Sequence, residues 1–309
     1  MIRMVAVTGA TGYVGRFIAA ELVKQNVAIR ALARPGSDRG GFAFPMEWIN
    51  GDLANSLAIA DLVRGADAVI HLAYDHVPGS YRGGEGDDLT GWLEVNLNGS
   101  LRLLTAARDA GVPQFIFLSS RAVFSRIEPG RILDETHATA PDSHYGAYKA
   151  AVEAFLHSFA TVHGMQTCAI RATGVYGLTW PPERSKWWNI INAVLDGADV
   201  SSFTRGGTEV HGAAVARAVW LLLSQPELAL DILHLSDLYV TEREIVRLVR
   251  EITNVPGTLP SAPIAPPRNV LVSTHLARLG VELGGVPLLQ KTVAEMLRAA
   301  QASPHLKPG

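Results

Sequence analysis

The feature that most constrains this chain is Thr8-Gly9-Ala10-Thr11-Gly12-Tyr13-Val14-Gly15, set between a short apolar run at residues 4–8 and an amphipathic stretch at 14–25. Glycines at 9, 12 and 15 let a strand turn sharply into a helix, with backbone N–H groups gathered at the helix N-terminus. A pyrophosphate needs such a place, and only glycine lets the main chain approach it closely. The spacing is G-x-x-G-x-x-G rather than G-x-G-x-x-G, and glycines also serve ordinary turns, so the argument rests on position after a first strand and before a helix.

The rest of the first half repeats that alternation. Apolar runs at 4–8, 27–33, 46–50, 68–72, 114–119 and 166–172 read as strands covered on both faces. Helical patterns at 14–25, 56–64, 92–110 and 145–163 lie between them, and Leu93, Leu97, Leu101 and Leu104 form an apolar stripe in the third. The expected fold class is α/β: a Rossmann-type, doubly wound parallel sheet with a smaller C-terminal substrate-binding domain. The pattern loosens after Gly174, which sets the boundaries. Residues 1–174 form the dinucleotide domain, completed by about 205–236, and 175–204 with 237–309 form the substrate domain. In that second part the sequence predicts helices at 187–195, 215–223 and 287–302, a strand at 232–235 and a connector at 256–267. Thr241 and Glu244 have capping-box spacing ahead of a helix to Ile252.

Composition excludes several classes. A formal charge of −2 offers no attraction to nucleic acid or to an anionic membrane. The run at 218–223 is far shorter than the roughly 18 residues that span a bilayer. The single cysteine, Cys168, cannot form an internal disulfide, and the first residues do not read as a cleavable signal, so a cytoplasmic protein is expected. Ten histidines without H-x-x-x-H spacing and one cysteine supply no metal site. His71, at a strand end, reads as structural.

A diol on the adenine ribose attracts an acid at the end of the second strand, whereas a 2′-phosphate needs an arginine. Residues 27–35 contain no acid but include Arg30 and Arg34. The expected cofactor is therefore NADP(H), with Arg34 on the phosphate; NAD with a solvated Arg34 is the alternative, and Asp38 is too distant to decide.

Tyr145 and Lys149 stand four apart on a predicted helix, so both emerge on one face. An ammonium beside a phenol stabilises phenolate, turning a weak acid into a usable proton donor and acceptor for an alcohol. With seven tyrosines and five lysines in 309 residues, that spacing arises by chance about 0.1 times. Ser120, at the end of the fifth strand, is placed to hold a substrate oxygen beside the tyrosine; a serine there also serves as a backbone cap.

Together with Gly51-Asp52-Leu53, His71-Leu72-Ala73, Asn96, Ser119-Ser120-Arg121-Ala122-Val123-Phe124, Tyr145-Gly146-Ala147-Tyr148-Lys149, Arg171, Val175-Tyr176-Gly177 and Val210-His211, these motifs resemble the extended short-chain dehydrogenase/reductase superfamily, specifically the NAD-dependent epimerase/dehydratase family. The resemblance implies that Asp52 and Leu53 face the adenine, that Leu72 and Ala73 line the cleft, and that Lys149 also holds the nicotinamide ribose. It implies Ser120, Tyr145 and Lys149 as the catalytic set, and a homodimer through the helices at 92–110 and 145–163. Relatives acting on nucleotide sugars often carry Asn where Gly174 stands, Arg at Gly207, and an Asp pair at Ala213-Ala214. Those losses remove donors for a nucleotide diphosphate. Trp180 and Trp187 (with Trp188) are candidates for an apolar substrate wall, with Arg121 and His211 as further substrate contacts; tryptophans are equally at home in a core.

The leading expectation is an NAD(P)-dependent oxidoreductase acting on a ketone or secondary alcohol, a small-molecule substrate. An epimerase or dehydratase that oxidises transiently uses the same apparatus. A non-catalytic dinucleotide-sensing regulator needs the glycine loop but not the tyrosine–lysine pair.

Overall fold

The structure, a computed structural model, describes residues 2–77, 79–80, 83–228, 230–262 and 270–302. The expected apolar runs form a seven-stranded sheet. Its strands are β1 (Met4–Thr8), β2 (Ala28–Ala33), β3 (Glu47–Asn50), β4 (Ala68–His71), β5 (Gln114–Ser120), β6 (Gln166–Ala172) and, after the small-sheet strands β7 (Gly174–Tyr176) and β8 (Gly206–His211), β9 (Ile232–Leu235). All pairings are parallel, in the order β3-β2-β1-β4-β5-β6-β9. The chain winds outward from β1 to β3 and then restarts at β4 on the other side of β1. A crevice is left at the carboxyl ends of β1 and β4, where such folds bind ligands.

Helices cover both faces. α1 (Tyr13–Lys24) lies on one side of the sheet together with α7 (Gly212–Ser224); α2 (Ser56–Val63), α4 (Gly99–Asp109) and α5 (His144–His163) lie on the other. Ile18 and Leu22 anchor the first layer; Ile59, Leu62, Leu103, Leu104 and Leu156 anchor the second. Each such fully buried aliphatic side chain contributes about 1.5–3 kcal/mol. Asn55 caps α2, and Ser143 caps α5 by accepting from the Gly146 N–H, which fixes where Tyr145 enters the helix.

The third helical pattern differs from expectation. It starts earlier, as α3 (Leu89–Leu93), and passes through a π-turn at Glu94–Asn98 before α4. The wider turn rotates the buried face. Trp92, Asn96 and Ser100 lead to Leu103, Leu104 and Ala107, while Leu93, Leu97 and Leu101 are only half-buried.

β10 (Leu238–Thr241) pairs antiparallel with β8, and β7 pairs parallel with it, giving a second, three-stranded sheet. Around Tyr176, Trp187 and Ile191 this sheet shares a core with α6 (Trp188–Leu195), α8 (Glu242–Thr253) and α10 (Gly285–Ala302); a short α9 (Leu276–Leu279) packs beside α7. Within 205–236, α7 and β9 thus complete the large fold, whereas β8 belongs to the small sheet. The Thr241 hydroxyl caps α8 at the Glu244 N–H, but the Glu244 carboxylate turns to Arg247 instead of closing a capping box. The connector read at 256–267 lies outside the described residues from 263 onward. Among the described residues no helix is long and apolar enough to cross a membrane, and no His, Cys, Asp and Glu group suits a metal ion.

Candidate active site

A cleft of about 350 Å³ runs along the carboxyl edge of the large sheet, from the ends of β2 and β3 across the glycine loop to α5. Gly9, Thr11, Gly12, Tyr13, Val14 and Gly15 form its floor, and Arg34, Asp52, Leu53, Leu72, Ala73, Tyr145 and Lys149 line it. The turn needs its glycines. Gly9 has φ +76, and a Cβ there would stand 2.7 Å from the Ala73 nitrogen; a Cβ on Gly15 would overlap the Gly9 carbonyl oxygen. No side chain caps α1 at Gly12, so the N–H groups of its first turn face the cleft. An elongated slot with an uncapped helix N-terminus at its centre fits a dinucleotide pyrophosphate.

Two buried polar residues brace the cleft, of which Arg16 was not singled out in the sequence and Asn96 belongs to the family motifs. Arg16 is almost fully buried, donates to the carbonyls of Thr11, Asp38 and Gly40, and lies 4.5 Å from the Phe42 centroid. It ties the glycine loop to the segment after β2. Its signal was an arginine directly after Gly15, on a helix face otherwise apolar. Asn96, wholly buried, accepts from the Asp75 N–H at 2.8 Å and donates to the Asp75 carbonyl at 2.9 Å, which pins the segment after β4 above the cleft.

At the end of the cleft beside β2 and β3, Arg34 and Ser37 line it. Arg34 is largely exposed and pairs with Asp75 at 2.6 Å. Arg30 points away, taken by Glu47 at 2.8 Å and by the Arg64 carbonyl at the end of α2. Asp52 accepts from the Ala54 N–H at 2.9 Å, shaping the turn after β3.

At the far end, α5 presents Tyr145 half-buried and Lys149 buried. The Lys149 ammonium donates to the Leu118 carbonyl at 2.7 Å and lies 5.7 Å from the Tyr145 centroid. Burial pushes its pKa down to about 7, with Glu153, one turn further along α5, pulling it back up. The Tyr74 ring lies 4.9 Å from that of Tyr145 and stacks at 6.0 Å on Tyr148, walling this end with aromatic surface. Ser120 closes β5 and accepts from the Ala122 N–H at 3.1 Å, so the hydroxyl caps the turn at Arg121–Val123 and keeps its proton for a second partner. Its neighbour Ser119 lines the cleft and donates to Glu153. Glu153 in turn holds Arg171 at 2.7 Å, both nearly fully buried. That charged floor beneath the lysine was not foreseen, although an acid on the buried face of α5, four residues after Lys149, marked it.

The remaining predicted substrate residues occupy separate surroundings. Trp180 packs on the loop after β2, where a Cβ on Gly41 would overlap its indole. Trp187 is in the core of the second unit, 5.3 Å from the Tyr176 ring. His211 caps α7 through Nδ1 and the Ala213 N–H at 3.1 Å, packed against Phe17 and Tyr176, and burial lowers its pKa to about 4. Arg121, half-buried, opens the turn after Ser120. His71 bridges Thr8 and Ser100 at 2.7 and 2.8 Å with no exposure, a structural residue as read.

Comparison with known proteins gives the family and the fold. The NAD dependent epimerase/dehydratase family matches residues 5–232. The chain belongs to that family. Among curated relatives, UDP-glucose 4-epimerase of Streptomyces lividans is 30% identical over 176 residues, 55% of this chain and 52% of the relative. The 3-beta-hydroxysteroid dehydrogenase of Mycolicibacterium neoaurum is 29% identical over 56% of this chain and 48% of its own. The chain thus spans about half the length of these relatives. UDP-glucose 4-epimerase of Thermus thermophilus, solved with NAD, superposes with a TM-score of 0.78 over 97% of this chain and 99% of that one, at 24% identity, and shares the fold. MoeE5, solved with UDP-glucuronic acid and NAD, is 25% identical with a TM-score of 0.78 over 97% of this chain and 99% of its own.

Proposed function

We propose that this family member is an NAD(P)-dependent oxidoreductase acting on a ketone or secondary alcohol, with Tyr145 as the acid–base group. The observation that carries this reading is the buried Lys149 ammonium beside the Tyr145 ring, at the end of a cleft that begins at an uncapped helix N-terminus. The bound nicotinamide supplies hydride chemistry; the protein supplies placement and charge. Gly9, Thr11, Gly12, Tyr13, Val14 and Gly15 hold the pyrophosphate, Asp52 and Leu53 the adenine, and Leu72 and Ala73 the cleft wall. Lys149 favours the phenolate, so Tyr145 accepts the alcohol proton in oxidation and returns it in reduction. Ser120 orients the substrate oxygen. The substrate-binding domain is drawn from residues 175–204 and from the described residues between 237 and 302.

The finer cofactor reading is NADP(H). Support comes from the adenosine end, where Arg34 and Ser37 line the cleft and residues 27–35 carry no acid. A homodimer through α3–α4 and α5 is supported by half-buried Leu93, Leu97 and Leu101 and by Phe155 and Val162, 43% and 68% exposed. The lone, buried Cys168 suits a cytoplasmic setting.

A second reading, epimerase or dehydratase with transient oxidation, is favoured by the names of several relatives. A panel of secondary alcohols with either cofactor, followed at the nicotinamide absorbance band, separates the two. Net absorbance change identifies the oxidoreductase, and conversion without it identifies the cofactor-recycling enzyme. Tyr145→Phe should keep cofactor binding and lose about 10²–10⁴-fold in turnover; wild-type turnover in that variant defeats the assignment.

A further inference from the structure

Gly174 begins β7 two residues past the carboxyl end of β6, and its register partner on β8 is Glu209. A Cβ at 174 would stand 2.7 Å from Glu209 Oε1 and closer to its Oε2, so the carboxylate occupies the volume a side chain at 174 would fill. Gly207 flanks the same carboxylate, 3.2 Å from Oε1 to an added Cβ. Glu209 is only 4% exposed, and Lys186 donates to both of its oxygens at 2.5 Å. Lys186 is tied to the cofactor cradle, because its backbone N–H donates at 3.2 Å to the hydroxyl of Tyr13 in the glycine loop. An ammonium on the rim between the dinucleotide cleft and the second sheet is thus already neutralised from within.

We propose that Glu209 is a specificity-determining residue, an internal counter-ion that occupies the anion position of this rim and reserves the site for uncharged hydroxy or oxo compounds over nucleotide diphosphates. The inference rests on the oxidoreductase reading and names its substrate class. A diphosphate entering here would meet a buried like charge, and the Lys186 ammonium is already engaged on both carboxylate oxygens. Like-charge juxtaposition is an effective means of rejection, because it acts only against the wrong partner. Burial raises the Glu209 pKa, and the Lys186 ammonium opposes that rise. Structural relatives are solved with UDP-glucose or UDP-glucuronic acid bound, so UDP is the fitting probe.

The test is calorimetric titration of UDP into the cofactor-loaded protein, wild type beside Glu209→Gln, with cofactor affinity measured separately. The wild type should show at most millimolar affinity. Glu209→Gln frees Lys186 and should bind UDP about 10- to 100-fold more tightly, a gain that added salt removes. Micromolar UDP binding by the wild type overturns the proposal. So does a folded, cofactor-binding Glu209→Gln protein with no gain. If Glu209→Gln does not fold, Glu209→Ser is the second variant, and the wild-type titration still decides. Failure of cofactor binding in the wild type would instead strike the oxidoreductase reading, so the two failures are distinguishable.

Discussion

The Nζ of Lys149 lies 4.4 Å from the centroid of the Phe117 ring, held there by the backbone of the neighbouring residue on β5. The aromatic face lends the ammonium some of what water would have provided. The compensation is incomplete, which is why the lysine titrates near 7 instead of 10.5.

That shift makes stability depend on pH with a defined sign. The unfolded chain protonates this lysine up to about 10.5, the folded one only up to about 7. Between those values the unfolded state binds more protons, so stability rises with pH; below 7 the burial cost is present in full. Lys149→Met should therefore raise the Tm at pH 6.5, by roughly 2 °C or more, with the gain shrinking toward pH 10. Equal gains at both pH values would show that the lysine is not desolvated as described.

Histidines act in the acid range. Burial lowers His71 to about 3 and His234 to about 4, so both are neutral in the native protein near neutral pH. Unfolded histidines protonate near 6.5. From 6.5 downward the unfolded state binds more protons, and stability falls until the folded values are reached. Denaturant unfolding at pH 7, 5 and 4 should show this loss, with a shallower slope in His71→Asn. An unchanged slope rules out His71 as the source.

Glu153→Gln should destabilise the protein by about 3–5 kcal/mol, because it leaves Arg171 charged in a nearly closed space. Replacing both partners, Glu153→Leu with Arg171→Met, should recover most of that loss in the same unfolding measurement. A single variant as stable as wild type would mean that solvent reaches the pair.

On the proposed NADP(H) reading, Arg34→Ala should weaken NADPH binding about tenfold and leave NADH binding unchanged, the loss expected for one charge-assisted contact. Fluorescence titration with both cofactors measures it. Unchanged preference would assign Arg34 to Asp75 alone.

Much of the large sheet was legible because its strands are buried on both faces. The runs at Met4–Thr8 and Gln166–Ala172 have nowhere to alternate, and the structure returns them with unaltered bounds. Tyr145 and Lys149 were legible because helical geometry makes a spacing of four a shared face. The small sheet was not. β7 and β8 begin at Gly174 and at Gly206-Gly207, residues without β preference, and they are strands through distant pairing, Gly174 with Glu209 across 35 residues and β8 with β10 as well. The stripe at Leu93, Leu97, Leu101 and Leu104 was legible only in part: Leu104 is buried and Leu93 and Leu97 pack on the core half-buried, while the π-turn, which no hydrophobic period announces, puts Trp92, Asn96 and Ser100 deeper than Leu93 and Leu97. Substrate contacts were the least readable part. A tryptophan at 180 or 187 has the same composition signal whether it faces a ligand, the Gly41 backbone or a core, and tertiary packing alone decides.

The Tyr13 hydroxyl donates to the Gly177 carbonyl at 2.7 Å and receives the Lys186 N–H. One phenol thus rivets the cofactor half of the protein to the half that begins beyond β6. Transplanting residues 175–204 onto another scaffold of this fold would import an arm whose fastening was left behind, unless a tyrosine stood at the matching turn. Conversely, Tyr13→Phe leaves the packing surface intact while unbuttoning the two halves, and loosened crosstalk between cofactor and substrate affinities is its expected signature.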